Sequence, residues 1–183
     1  MTTTVLPLTT GTWTADIAHS SVEFTVRHLG LAKVRGRFNS FSTNVVVADD
    51  LAASSVHADI DLSSIDTNNA DRDAHLRSTD FFGVEANPTM SFRSTAIVGS
   101  GDDYTVTGDL SINGVTRPVE LSVEFLGSET YPMDGTLRAG FSATGSISRK
   151  EFGIQFDIPL GADKMAIGDK VNIELEIQLV APQ

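Results

Sequence analysis

The chain has 183 residues and no cysteine, which excludes disulfides, thiolate metal sites and cysteine nucleophiles. Its length suits one domain, residues 1–183, and no linker, repeat or low-complexity run divides it. With 24 acidic and 13 basic residues the formal charge is −11, spread along the chain, which argues against nucleic acid or an anionic membrane surface as the main partner. Residues 1–12 show neither a basic region nor a long apolar run and are expected to be a flexible N-terminal segment. No stretch has the length of a transmembrane helix, so stable membrane insertion is not expected, and the simplest expected location is the cytoplasm unless a precursor segment is missing.

A first strand is expected over 13–17, with a short break at 18–20. From Val22 the alternation is strict: Val22, Phe24 and Val26 point one way, Glu23, Thr25 and Arg27 the other, and His28 falls in register with the apolar set. Residues 29–31 form a turn, after which Val34, Gly36 and Phe38 alternate with Arg35 and Arg37. Residues 41–47 continue that strand or start the next. Val56, Ala58, Ile60 and Leu62 alternate with His57, Asp59 and Asp61. The pattern then stops. Residues 66–77 are polar and charge-dense, with Thr67 or Asn68 able to cap first-turn amides and Asp71 and Asp73 suited to the positive end of the dipole. Asp73 and Arg77, like Asp71 and His75, stand four apart in the favourable order. One helix is expected at about 69–79, covering one end of a barrel because its apolar stripe of Ala70, Ala74 and Leu76 is too thin for a core.

After Pro88, Met90, Phe92, Ser94, Ala96 and Val98 are read as one face, followed by a turn at 99–103 and a strand carrying Tyr104, Val106, Gly108, Leu110 and Ile112. Asn113-Gly114 is the strongest hairpin signal in the chain. Val119, Leu121, Val123 and Phe125 form the returning arm; Leu137, Ala139, Phe141, Ala143, Gly145 and Ile147 the next; and Val171, Ile173, Leu175, Ile177 and Leu179 the last. Breaks are expected at 149–153 and 162–169. About eight half-wet strands with hairpin connections make an antiparallel sheet that must close on itself or pack on another, and closure into an eight-stranded barrel is favoured. Small inward residues (Gly36, Ala58, Ser94, Ala96, Gly108, Ala139, Ala143 and Gly145) leave room for a ligand or, on the plainer reading, let bent strands coil.

Several stretches together resemble the YceI-like family: Trp13 with residues 16–20, Phe24 to His28, 66–77 followed by Asp80-Phe81-Phe82, 108–119, 148–154 and 167–171. The resemblance runs over 13–179 in the family's order. It implies an all-β, extended antiparallel lipocalin-like barrel whose apolar interior holds a polyisoprenoid chain or isoprenoid quinone, for carriage, storage or stress protection. It also makes a homodimer plausible. Many members are exported to the periplasm.

For such a ligand the apolar lining candidates are Phe24, Val26, Phe38, Phe92, Val106, Leu121, Val123, Phe141, Ala143, Ile173, Leu175 and Ile177; each alone reads more simply as a core residue, and only together do they make a tunnel. Head-group candidates are Arg72, His75 and Arg77 on the helix, with Arg149 and Lys150 on the later break. The bland account of these is that Arg77 pairs with Asp73 and that Arg149 and Lys150 are solvated. His19, His28, His57 and His75 lack a metal-like spacing, and His19-Ser20 is not a nucleophile–base pair, because strand neighbours point oppositely. No cofactor motif occurs. A binding protein without catalysis is therefore expected, with an enzyme using Asp71, Arg72 and His75 at the barrel mouth as the alternative.

Overall fold

The half-wet strands of the N-terminal third are each bent once, and the bends decide how the sheet closes. The structure, a computed structural model, describes residues 6–183. The first strand runs as β1 (Gly11–Ala15) and β2 (Ser21–His28) on either side of a 3₁₀ turn, Ile17–His19, capped by the Asp16 carboxylate accepting from the Ala18 N–H at 3.0 Å. The second is β3 (Ala32–Phe38) and β4 (Phe41–Val47), and the third is β5 (Ser55–Asp61) and β6 (Ile65–Asp66), kinked at Leu62–Ser64. After α1 (Ala70–Arg77) come long strands: β7 (Thr89–Ser100), β8 (Asp103–Ile112), β9 (Val115–Thr130) and β10 (Leu137–Ser148). A small hairpin of β11 (Pro159–Gly161) and β12 (Lys164–Met165) precedes β13 (Ile167–Val180).

Around the ring the order is β1-β4-β5-β7-β8-β9-β10-β13, and β13 returns to β1 through Thr14↔Val180 and Ala15↔Leu179, so eight antiparallel strands close the barrel. The first part of β13 pairs instead with β2, from Ile167↔His28 to Glu176↔Ser21, and β2 pairs with β3. One half of each bent strand thus completes the ring and the other extends the wall. Beyond that, β3 meets β6 only at Arg37↔Asp66 and Phe38↔Ile65. Among the described residues its edge before Arg37 has no further strand neighbour, and three residues separate the end of β6 from α1.

Two bulges re-aim side chains. Between Ser94 and Ala96 the β7–β8 register shifts by one, so Ile97 is buried and Val98 is 59% exposed. This corrects the expectation that Ala96 and Val98 share the face of Phe92: one extra residue reverses every later side chain. At Gly140/Phe141 a second bulge turns Leu126 outward and keeps Phe125 and Phe141 together, their rings 5.2 Å apart. The inward glycines are not voids. A Cβ on Gly36 would lie 2.2 Å from Phe24 Cζ, one on Gly108 2.4 Å from Phe92 Cζ, and one on Gly145 2.8 Å from Leu121 Cδ2. Neighbouring-strand side chains lie over them, as the coiling account of these glycines requires.

Of the expected flexible segment 1–12, residues 1–5 lie outside the described residues; Leu6 is buried and β1 begins at Gly11. Trp13 is fully buried, and its indole N–H donates to the Thr9 carbonyl at 2.9 Å. With Leu51 and Tyr104 it packs in the main core, toward the end of the barrel that carries the β7–β8 turn.

α1 is shorter than expected and is anchored differently. Asn69 is its cap, accepting from the Arg72 N–H at 2.9 Å. Asp73 does not pair with Arg77: it is buried and accepts from both the N–H and the hydroxyl of Thr67. Arg77 reaches back to the carbonyls of Ser63 at 3.0 Å and Ile65 at 3.4 Å, while His75 donates to Asp80 at 2.8 Å rather than engaging Asp71. The helix is tied to β6 by its polar residues, which explains why it needs so little apolar surface.

Candidate functional site: an apolar cavity

Alternation that points one residue in two inward, on strands too strongly bent to bring opposite walls into contact, leaves a cavity of about 460 Å³ along the barrel. Its wall is almost wholly apolar. All twelve inward candidates border it, from Phe24 and Val26 on β2 to Ile173, Leu175 and Ile177 on β13. Lining residues missed in the sequence include Ile97, turned inward by the bulge, and Phe81, Ile154, Phe156 and Ile158. Ile154, Phe156 and Ile158 do alternate with Gln155 and Asp157, but the run is only five residues long and forms no strand; the tertiary path of the loop brings these three side chains over the barrel.

Near α1 the wall changes character. Arg72, His75 and Leu76 line the cavity from the helix, and Arg149 and Phe156 from the segment after β10. The His75, Phe81 and Phe156 rings meet edge-on or tilted with centroids 4.8–5.2 Å apart. Arg77 and Lys150 are not on the wall, which removes them as head-group contacts: Arg77 is spent on the carbonyls before α1, and Lys150 sits in the 3₁₀ turn Arg149–Phe152, its backbone N–H donating to Asp169 at 3.1 Å.

Arg149 touches the cavity but offers it no donor. Only 4% exposed, it gives Nε–H to the Gly168 carbonyl, Nη1 to those of Ile154 and Phe156, and Nη2 to the Ile167 carbonyl and the Asp157 carboxylate, all within 2.8–3.2 Å. A guanidinium has five N–H donors, and all are used. Arg149 is therefore neither solvated nor a head-group ligand; it straps the 154–157 segment to the start of β13. Burial by itself would raise the Asp157 pKa, but amide N–H groups of Ile167 and Ile158, each 2.9 Å away, together with the charges of Arg149 and Lys150, hold it below its ordinary value.

Arg72 differs. Its Nε donates to the Thr67 hydroxyl at 2.7 Å and Nη2 to the Thr67 carbonyl at 2.6 Å, and among the described residues Nη1 has no partner. His75 is held through Nε2 by Asp80, with no hydrogen-bond partner for Nδ1 among the described residues. Nearby hydroxyls are committed: Thr67 to Asp73, Ser78 to the His75 carbonyl at 2.6 Å. Among the described residues no group of three or more His, Asp or Glu side chains is placed to hold a metal ion.

The chain covers 73% of a UPF0312 protein of Pseudomonas paraeruginosa, to which it is 41% identical over 141 residues, or 76% of its own length. It is 38% identical over 163 residues to one from Vibrio cholerae, covering 88% of this chain and 82% of that protein. Among solved structures it is similar to BcnA of Burkholderia cenocepacia, with a TM-score of 0.77 and 25% identity over 92% of this chain and 99% of that one. It shares its fold with a polyisoprenoid binding domain from Saccharophagus degradans, at a TM-score of 0.69 and 16% identity over 93% and 98% of the two chains. A family profile described as the YceI-like domain matches residues 13–179, which takes in every barrel strand from Trp13 onward. The chain belongs to the YceI-like domain family.

Proposed function

We propose that the protein binds a long apolar lipid of the isoprenoid class in the barrel and performs no chemistry on it. The observation that carries this reading is the cavity: about 460 Å³, within the roughly 300–1,000 Å³ range of small-molecule sites, and walled by aliphatic and aromatic side chains from the whole ring. A prenyl chain needs only continuous dry surface, gaining about 25 cal/mol for each Å² removed from water. The polyisoprenoid binding domain of Saccharophagus degradans, which has the same fold, supports the class of ligand. At the α1 end, the Nη1 of Arg72, without a partner among the described residues, suits a head group that accepts hydrogen bonds, a quinone carbonyl or a diphosphate oxygen, whereas His75, donating through Nε2 to Asp80, is left with an Nδ1 that can only accept. The enzymatic alternative has His75 held by Asp80 beside the cavity, but the hydroxyls around it are already bonded within the fold.

Organic extraction and native mass spectrometry of the purified protein are expected to find a long-chain lipid. Ala143→Trp, which places an indole inside the cavity, is expected to abolish uptake of an added prenyl quinone while the barrel remains folded. Arg72→Gln is expected to weaken binding of that quinone by roughly tenfold, the worth of one hydrogen bond to a charged donor, while leaving binding of a saturated hydrocarbon unchanged. Undiminished quinone uptake by the Ala143→Trp protein would reject the cavity as the site.

A further inference from the structure

A lipid that is insoluble in water must be collected where it dissolves, in a bilayer, and the rim of this cavity is built for such a surface. Two short turns lie side by side there. The β2–β3 turn, residues 28–31, is closed by the Leu31 N–H donating to the His28 carbonyl at 2.9 Å; the β11–β12 turn follows Gly161. Ala166 joins them: its carbonyl accepts from the Leu29 N–H at 2.7 Å and its own N–H donates to the Ile158 carbonyl at 2.9 Å. From this pair of turns Leu29, Leu31, Ile158, Leu160 and Met165 project into solvent, Leu31 with 79% of its surface exposed. Ile158 also lines the cavity, as do His28 and Ala166, so the apolar surface runs without a break from the rim to the interior.

Backbone conformation and charge point the same way. Leu29 (φ +56°) and Ala162 (φ +48°) both occupy the left-handed region, at turn positions that favour asparagine, aspartate or glycine. Keeping an exposed leucine there gains the fold nothing that asparagine would not supply with less strain. The protein as a whole carries −11, yet residues 27–35 contain Arg27, Lys33 and Arg35 and no acid, and the second turn adds Lys164 beside Asp163. Arg35 approaches Glu174 only at 3.9 Å, with both side chains exposed. Apolar tips flanked by cations are the composition of a surface that sits at a lipid headgroup boundary. The total charge argues against an anionic surface as a partner for the body of the barrel; the local charge of the rim reverses that sign where the cavity opens.

We propose that this rim docks on an anionic bilayer, with Leu29 and Leu31 entering the headgroup region, so that the lipid passes along continuous apolar surface into the cavity. The proposal rests on the lipid-binding reading above. The full chain is to be floated with vesicles of phosphatidylcholine alone and of phosphatidylcholine mixed with phosphatidylglycerol, beside a rim variant, Leu29→Asn with Leu31→Ser, and a control variant, Val98→Ser with Met133→Ser, exposed apolar positions on β7 and on the β9–β10 turn. Expected are preferential association with the anionic vesicles, weakened by salt, a fall of about tenfold or more in the rim variant, and no change in the control. The thermal midpoint of the rim variant should be equal or higher, since asparagine suits the left-handed position; Leu31→Ser alone, at a side chain almost wholly in solvent, serves if the double variant folds poorly. Uptake of a decaprenyl quinone from ethanol dispersion should be unchanged in the rim variant, while its extraction from quinone-loaded vesicles falls. Equal vesicle association of wild type and rim variant would overturn docking. So would a wild-type dimer that becomes monomeric in the variant with no vesicle association in either, which would make the rim an interface between copies. Failure of the lipid-binding reading shows separately, as absence of quinone after ethanol dispersion, with flotation still deciding the rim.

Discussion

Two arginines of the same sequence character have opposite uses here, and the difference lies in how many donors remain. All five donors of Arg149 are bonded inside the protein, four to carbonyls and one to Asp157, whereas Arg72 lines the cavity with an Nη1 that has no partner among the described residues. Arg149→Lys is therefore expected to destabilise the fold by about 3 kcal/mol or more, because an ammonium cannot reproduce the planar fork and leaves buried carbonyls unpaired. Urea denaturation reads this directly; a lysine variant as stable as wild type would remove Arg149 from the strap. The same scale governs Gly36. Its absent Cβ is where the Phe24 ring lies, 2.2 Å away, so Gly36→Ala is expected to cost about 1–3 kcal/mol through overpacking. Adding Phe24→Leu should recover part of the loss, and a strictly additive double-mutant cycle would show that the two do not share the space.

At the scale of elements, α1 is a short helix held by polar contacts at both ends. Asn69 caps its first turn, Asp73 binds Thr67, and Arg77 binds the carbonyls before it. Asn69→Ala is expected to cost about 0.5–2 kcal/mol. Because α1 buries few apolar side chains, the loss should appear as local opening. Hydrogen exchange over residues 70–77 is expected to quicken while exchange in β8 to β10 stays unchanged; quickening throughout the barrel would mean that the helix is part of the global unfolding unit. The bent strands carry the complementary lesson. The first strand pairs with β13 on both sides of its bend and changes its other neighbour there from β4 to β3, which lets one chain segment serve both the ring and the extended wall beside the cavity mouth.

For the whole molecule, acid stability follows from several carboxylates held below their ordinary value of 3.8. Asp16 is lowered chiefly by its hydrogen bond with His19, helped by Arg138, and Asp66 by the Asn68 backbone N–H and Asn39. In Asp157 and Asp169 burial opposes the shift, but hydrogen bonds and nearby cations outweigh it. A carboxylate whose folded pKa is depressed binds its proton more readily in the unfolded chain, so its stabilisation is present above 3.8 and is lost as pH falls below that value. The thermal midpoint is thus expected to be flat above about pH 5 and to fall steeply below about pH 4. A midpoint that rose on acidification would contradict the sign for the whole set.

The inward face of nearly every strand was legible in the residues, because the period of two is a property of adjacent peptide units and needs no partner. For the same reason the break before β2 and the Asn113-Gly114 turn could be read directly, and the motifs of residues 13–179 pointed to the family. What the residues alone left undecided depends on partners far along the chain. Closure needs β13 to meet β1, a register no local pattern contains. Ile97 faces inward only because a bulge against β8 adds one residue to the count. Gly36, which reads first as room for a ligand and only on the plainer account as a bend, is decided by the Phe24 ring opposite it. Arg149 and Arg72 look alike until the carbonyls around them are placed, since donor capacity is consumed by acceptors that only the folded loops assemble.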